Sequence, residues 1–334
     1  MRIGFFIGPT LTGRQNGIVS QAVNWRDEML SAGHQVELIS PWESIDWSAF
    51  DIIHIFGISP NLDLVKKIKE KGAKSIAISP IYDSNRPVWL MKILSFIKIP
   101  FINCKTPWAY FKESLIFYDM IFVRSEYERM RLKAIFDVDL SKTFKVALSP
   151  RFKPLKTHDS TDREAFCLHV SILSSPNKNV VTLIEAAKKF GFDLRLAGHI
   201  NTTSFKNYLM REIKLNPNIS YLGVLDDATL QQCFQKAKVF ALPSLIEGVG
   251  LVALEAAVLG CDIVITNRGG PKEYYSDLAR VVDPKNISEV GESIMYFLDR
   301  DTNQPKLTKM IVNKYNISTA VDKIIKIYSG QTRS

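Results

Sequence analysis

The 334-residue sequence predicts an α/β protein made of two doubly wound parallel-sheet domains. Three observations carry that expectation. Short apolar runs alternate with amphipathic stretches from one end to the other, the pattern of parallel strands covered by helices on both faces. The chain is too long for one compact α/β core. A polar, proline-marked stretch without hydrophobic period, from Ser149 to Arg163, interrupts the alternation and reads as a linker.

Strands of the first series are predicted over Ile3 to Ile7, Gln35 to Ile39, Ile52 to Phe56, Ser75 to Ile81, Met120 to Val123 and Phe144 to Leu148. A helix from about Gly17 to Ala32 presents Ile18, Ala22, Trp25 and Met29 on one face and stops at Gly33, a left-handed cap position. The second series is predicted over Phe166 to Leu173, Phe192 to Ala197, Ile219 to Leu222, Val239 to Leu242, Ile263 to Thr266 and Ala279 to Val282. Its first helix, Asn179 to Phe190, again ends at a glycine, Gly191. A final helix near Ile317 to Tyr328 carries Ala320, Val321, Ile324, Ile325 and Tyr328 as an apolar stripe.

The most informative segment is Pro243-Ser-Leu-Ile-Glu247-Gly-Val-Gly250-Leu-Val-Ala-Leu-Glu255-Ala-Ala257. It follows the apolar strand Val239 to Leu242 and merges into an alanine-rich run that Gly260 stops, in the order strand, loop, helix. A helix starting near Gly250 points its unpaired N–H groups and positive dipole end into the crevice above the strand, where an anion is favoured. Gly248 and Gly250 let a ligand approach the backbone. Glu247 stands on the loop and Glu255 about one turn inside the helix, so one carboxylate reaches each end of such a ligand. A phosphate flanked by two hydroxyl-rich ends describes a nucleotide sugar. The plainer reading is a solvated loop acid plus a helix-start acid favoured by the dipole.

This segment resembles the E-x7-E signature of retaining GT-B glycosyltransferases of family 4 (glycosyl transferases group 1), whose common form is P-S-x-x-E-G-F-G-x-x-x-x-E-A. Val249 stands where the family usually has Phe or another bulky residue. Gly33-His34, Asp51-Ile-Ile-His54 and Gly269-Gly270-Pro271-Lys272-Glu273 fall in the same order, so the resemblance covers nearly the whole chain. It implies the GT-B fold, two Rossmann-like domains facing a cleft. Residues 1–153 would form the acceptor domain, with 316–334 crossing back onto it, and 164–315 the donor domain. It also implies that Glu247 is catalytic and holds the transferred sugar, that Glu255 holds the ribose, and that the amides around Gly250, Leu251 and Val252 hold the diphosphate. Gly248, Val249 and Val224 would line the same donor site.

Lys178 is placed at the start of the helix Asn179 to Phe190, where a cation opposes the dipole, so its position asks for a reason that diphosphate binding supplies. The resemblance further implies a nucleoside diphosphate sugar as donor, and a glycan or lipid-linked hydroxyl as acceptor in cell-surface polysaccharide synthesis. No cofactor or metal would be needed.

Two departures keep other readings open. The arginine that family members carry beside the lysine is Ile172 here. The histidine that often follows the fourth strand is replaced by Ser79-Pro80-Ile-Tyr82-Asp83. A catalytically inactive binding or scaffold subunit and a sugar-nucleotide epimerase are the alternatives. Acceptor-side candidates are Gly13, Arg14, His54 and Asp83, although a lone strand-end histidine is more often structural. Gly8-Pro-Thr-Leu-Thr-Gly13 has phosphate-loop spacing but lacks the lysine and hydroxyl that follow it in nucleotide triphosphatases. Arg14 or Arg268 would be a substitute source of positive charge.

Composition is that of a globular chain, 46% hydrophobic and 23% charged. Of the formal charge of +9, an excess of eight comes from the fourteen basic and six acidic residues between Arg86 and Lys156. Within it, residues 86–112 interleave large apolar groups with lysines and contain no acid. That mixture suits an anionic membrane surface, and equally a core helix whose lysines reach out to water. No module for nucleic acid accompanies the charge. The four cysteines, Cys104, Cys167, Cys233 and Cys261, are too scattered for zinc or a disulfide framework. No run reaches membrane-spanning length and the start does not read as a signal peptide, so the expectation is a cytoplasmic protein, peripheral at the inner face of a membrane if the basic stretch docks there.

Overall fold

The computed structural model describes residues 1–8, 17–40, 44–58, 62–99, 104–154, 163–299 and 302–331. It divides into two compact units, Met1–Leu148 with Ile317–Ser334, and Ser149–Asn316.

In the first unit the strands are β1 Arg2–Ile7, β2 Gln35–Ile39, β3 Ile52–Phe56, β4 Ser75–Ser79, β7 Met120–Val123 and β8 Thr143–Lys145, with β5 Lys98–Ile99 and β6 Cys104–Lys105 forming a separate antiparallel pair. The six strands lie parallel in the order β2-β1-β3-β4-β7-β8. Strand alternation assigns the faces. Ile53 and Ile55 of β3 join one core layer with Ile76, Ile78, Ile121 and Val123. Ile52 and Phe56 join the other, under Trp25 and Met29 of the helix Gly17–Ser31 and Val321, Ile324, Ile327 and Tyr328 of the helix Ile317–Tyr328. Each fully buried isoleucine or phenylalanine contributes about 1.5–3 kcal/mol by leaving water.

The second unit holds β9 Glu164–Val170, β10 Asp193–Ala197, β11 Ile219–Tyr221, β12 Ala237–Leu242, β13 Asp262–Thr266 and β14 Arg280–Val282. They are parallel, in the order β11-β10-β9-β12-β13-β14. The chain winds outward from β9 in one direction and returns to β12 on its other side. Loops leaving the carboxyl ends of β9 and β12 therefore meet at a topological switch point, where open α/β sheets bind ligands.

Most predicted strands match within a residue or two. Three run shorter than their apolar stretches. Strand β4 ends at Ser79, because Ile81 takes φ 53° after Pro80 and cannot continue an extended chain. Strands β8 and β9 close at Lys145 and Val170, short of Leu148 and Leu173. Gly33 and Gly191 both adopt positive φ where their helices stop, 84° and 75°. Much of the stretch read as a linker, residues 155–162, lies outside the described residues.

Candidate functional site

The loop after β12 is fixed at both ends by backbone. The Glu247 N–H donates to the Arg268 carbonyl at 3.1 Å, and the Gly270 N–H donates to the Glu247 carbonyl at 3.1 Å. Glu247 thus forms a one-residue parallel bridge with Gly269, which extends the β12–β13 pairing beyond the strand ends. Gly269 takes φ 105°, and a Cβ there would sit 1.8 Å from the Glu247 carbonyl oxygen. Only glycine permits this approach. From the other side, the Leu245 N–H donates to Asn177 O at 2.8 Å and Asn177 Nδ2 donates to Ile246 O at 2.9 Å, tying the loop to the one that follows β9.

The helix Leu251–Val258 starts from Gly250 at φ 78°, and no side chain caps its N-terminus. Among the described residues the amides of Leu251 and Val252 thus have neither an intrahelical partner nor a side-chain acceptor, and they carry the positive end of the dipole. Tyr275 Oη donates to the Gly250 carbonyl at 3.1 Å, bracing the turn from behind. Leu251 and Val252 are half-buried, whereas Gly248, Val249 and Gly250 are buried.

Glu247 and Lys178 meet here. Lys178 Nζ donates to Glu247 Oε1 at 2.5 Å, and Ser244 Oγ donates to the same oxygen at 2.7 Å. Lys178 does not begin the following helix. It ends the 3-10 turn Pro176–Lys178, and Asn179 at φ 55° separates that turn from the helix Val180–Phe190. The helix-dipole penalty expected from sequence is therefore weakened, and Glu247 is the partner that accounts for the lysine's placement.

Glu255 lies on the inner side of the helix Leu251–Val258, 3% exposed. Burial raises its carboxyl pKa above the ordinary carboxylate value, and the Arg151 guanidinium pulls the other way. Arg151 Nε and Nη2 donate to the two carboxylate oxygens at 2.5 and 3.2 Å, while Nη1 reaches Asp227 Oδ1 at 3.3 Å. In the sequence Arg151 is one polar residue of the linker-like stretch Ser149 to Arg163. Its role was not legible because its partner lies 104 positions away.

The remaining candidates are placed as follows. Val224 is exposed beside Gly223, after β11, and Ile172 is exposed after β9. Arg268 is engaged with Asp283 at 3.2 Å. In the first unit Asp83 accepts from Arg124 Nη2 at 2.7 Å, and Arg124 also holds Glu128. His54 is fully buried. Its Nδ1 bonds Tyr328 Oη at 2.5 Å and its Nε2 bonds Ser79 Oγ at 2.9 Å, so neither nitrogen is open to a ligand, and burial lowers its pKa to about 3. Gly13 and Arg14 fall in residues 9–16, outside the described residues.

Two D-x-D triplets occur, Asp137-Val138-Asp139 and Asp299-Arg300-Asp301. Asp137 pairs with Lys133 at 2.6 Å and Asp139 caps a turn through Ser141, while Asp301 lies outside the described residues. Among the described residues no cluster of three or more His, Cys, Asp or Glu side chains is arranged to hold a metal ion.

Comparison with known proteins bears on the fold and on what the chain is similar to. Residues 155–317 match the family model described as glycosyl transferases group 1. The chain is 24% identical over 207 residues to an O-antigen chain mannosyltransferase B from Escherichia coli, covering 57% of this chain and 54% of the relative. It is 26% identical over 181 residues to an uncharacterized glycosyltransferase from Methanocaldococcus jannaschii, covering 50% and 45%. The chain spans about half the length of these curated relatives. Among solved structures, a sucrose-phosphate synthase from Thermosynechococcus elongatus superposes with TM-score 0.77 at 15% identity, covering 99% of each chain. HepE from Anabaena, solved in complex with UDP, gives TM-score 0.77 at 14% identity over 99% of this chain and 100% of its own. Two six-stranded parallel sheets flanked by helices are the GT-B arrangement. Through residues 155–317, this chain is similar to the glycosyl transferases group 1 family.

Proposed function

We propose that the protein is a retaining glycosyltransferase that moves a sugar from a nucleoside diphosphate sugar to a hydroxyl of a glycan or lipid-linked acceptor. The observation that carries this reading is the uncapped N-terminus of the helix Leu251–Val258, with Glu247 and Lys178 before it and Glu255 inside it. The amides of Leu251 and Val252 receive the diphosphate, and Glu255 accepts hydrogen bonds from the ribose hydroxyls. When donor binds, the Lys178–Glu247 pair opens. Lys178 turns to the phosphate, and Glu247 accepts from hydroxyls of the transferred sugar.

As the bond between sugar and diphosphate breaks, negative charge grows on the leaving phosphate oxygen. Fixed amides and Lys178 stabilise it there, which lowers the barrier without a metal ion. The acceptor hydroxyl attacks from the face the leaving group departs and passes its proton to the departing phosphate oxygen, with retention, as the family resemblance implies. The UDP complex of HepE supports a nucleotide donor, and the O-antigen chain mannosyltransferase relative supports a glycan acceptor in polysaccharide synthesis.

The test is a thermal-shift screen of uridine, guanosine and adenosine diphosphate sugars, followed by transfer assays with the donor that binds. Stabilisation by one donor together with transfer supports the proposal. Nucleotide binding without turnover favours a binding or scaffold subunit, a reading motivated by Ile172 standing where the family's second cation would be. Conversion of the donor with no acceptor present favours an epimerase.

A further inference from the structure

The short helix Val88–Leu94 and the turn after it carry their apolar side outward. Met91 is fully buried, and Val88 and Leu94 pack against the core. The opposite face, at positions 89, 92, 93, 96 and 97, follows the i, i+3, i+4, i+7 and i+8 spacing of one helical stripe. It consists of Trp89, Lys92, Ile93, Phe96 and Ile97, with Trp89 64% and Phe96 59% exposed. A water-facing stripe ordinarily bears polar groups, so this face is inverted. The helix Pro107–Ser114 continues the surface through Lys112, whose Nζ lies 3.4 Å from the Phe96 ring centroid, and Ile116 follows in the next turn, 78% exposed.

The charge beside this patch has one sign. No acidic residue occurs from Ser84 to Lys112. Flanking Asp83 is taken up by Arg124 and flanking Glu113 by Lys105. Among the described residues neither Lys92 nor Lys112 forms an ion pair. Partial burial, and then the neighbouring Lys92, lower the pKa of the Lys112 ammonium, with Asp137 opposing.

We propose that this face of the first unit docks on a lipid bilayer bearing anionic headgroups. Trp89, Ile93, Phe96, Ile97 and Ile116 enter the headgroup boundary, and Lys92, Lys112 and Arg86 meet lipid phosphates. A tryptophan with an apolar body and a polar N–H suits that boundary. A second copy of the chain is a poorer occupant, because a symmetric contact would bring lysines against lysines. The surface lies wholly within the first unit and is independent of the donor chemistry, so failed transfer assays would leave it standing.

Flotation with phosphatidylcholine vesicles, with and without phosphatidylglycerol, tests it. The expected result is capture by the anionic vesicles only, weakened by high salt. The W89S/F96S variant loses partitioning by roughly tenfold or more at any salt, and K92E/K112E loses by roughly tenfold or more on anionic vesicles, together with the salt dependence. Trp89, Lys92 and Phe96 are exposed and Lys112 is half-buried, and a melting curve of each variant shows that it is folded before its partitioning is compared. Quenching of fluorescence by brominated lipid, diminished in W89F, gives a readout in a fully folded protein. Native protein that stays unbound with anionic vesicles overturns the proposal, as do variants that bind like native. So does a concentration-dependent dimer in sedimentation that W89S/F96S dissolves, since the face would then be a self-interface.

Discussion

Arg151 grips both oxygens of Glu255, with Nε at 2.5 Å and Nη2 at 3.2 Å. The pair joins the start of the second unit to the helix Leu251–Val258. It also holds the carboxylate that the proposed donor needs for its ribose, and it opposes the desolvation that would otherwise favour the neutral acid. Removing Arg151 leaves Glu255 buried without its counter-charge, whereas removing Glu255 leaves a half-buried Arg151 with Asp227 still beside it, and removing both leaves no buried charge unpaired. Arg151→Ala and Glu255→Gln are therefore expected to be non-additive in urea unfolding, with a coupling of about 1–3 kcal/mol. Additive effects would show that the contact is incidental. Glu255→Gln is also expected to weaken nucleotide binding in calorimetry, by roughly tenfold or more, through loss of a charge-assisted acceptor.

Glu247 and Lys178 separate by kinetics. Glu247→Ala is expected to lower kcat by about a hundredfold or more with little change in nucleotide affinity, since in the proposed complex Glu247 contacts the sugar rather than the nucleotide. Lys178→Ala is expected to raise the KM for donor as well, with partial rescue by Lys178→Arg. Full activity in Glu247→Ala sinks the catalytic assignment.

The two glycines of the site differ in what surrounds them. A Cβ at Gly250 meets Ile265 Cδ1 at 2.9 Å, the movable end of a side chain, whereas at Gly269 it meets the Glu247 carbonyl at 1.8 Å. Both residues hold positive φ. Gly250→Ala should cost about 1–2 kcal/mol, and Gly269→Ala more than about 3 kcal/mol with loss of the Glu247 bridge. Thermal unfolding of the two variants side by side checks the order, and equal losses would refute it.

Acid should destabilise the fold through two buried histidines. Desolvation lowers His54 to about 3 and His169 to about 4, and both are fully buried. In the unfolded chain a histidine binds its proton near pH 6.5, so below that value the unfolded state takes up protons that the folded state refuses. The stability these neutral rings contribute is present above about pH 6.5 and is lost as pH falls towards about 4. The slope is at most about 1.4 kcal/mol per pH unit for each histidine. Urea unfolding between pH 7 and about 4.5 measures it. His54→Gln should flatten the dependence, and an unchanged slope would rule out this origin.

Local pattern reached far in this chain. Strand existence follows from apolar runs bounded by turn residues, and the helix stops at Gly33 and Gly191 follow from their freedom to adopt positive φ. The Pro243–Ala257 segment announced strand, loop and anion-favouring helix because all the needed residues are neighbours in sequence. What it did not reveal were the pairings across distance: Arg151 with Glu255, Lys178 with Glu247 across 69 positions, and His54 with Tyr328 across 274. Parallel strands bring such residues together only after a crossover or several. Periodicity of a few residues thus determined the elements and their caps. Which charges met, which histidine was sealed and which apolar stripe faced outward were decided by packing between elements, since a side chain's partner is set by the neighbouring strand or helix and not by its neighbours along the chain.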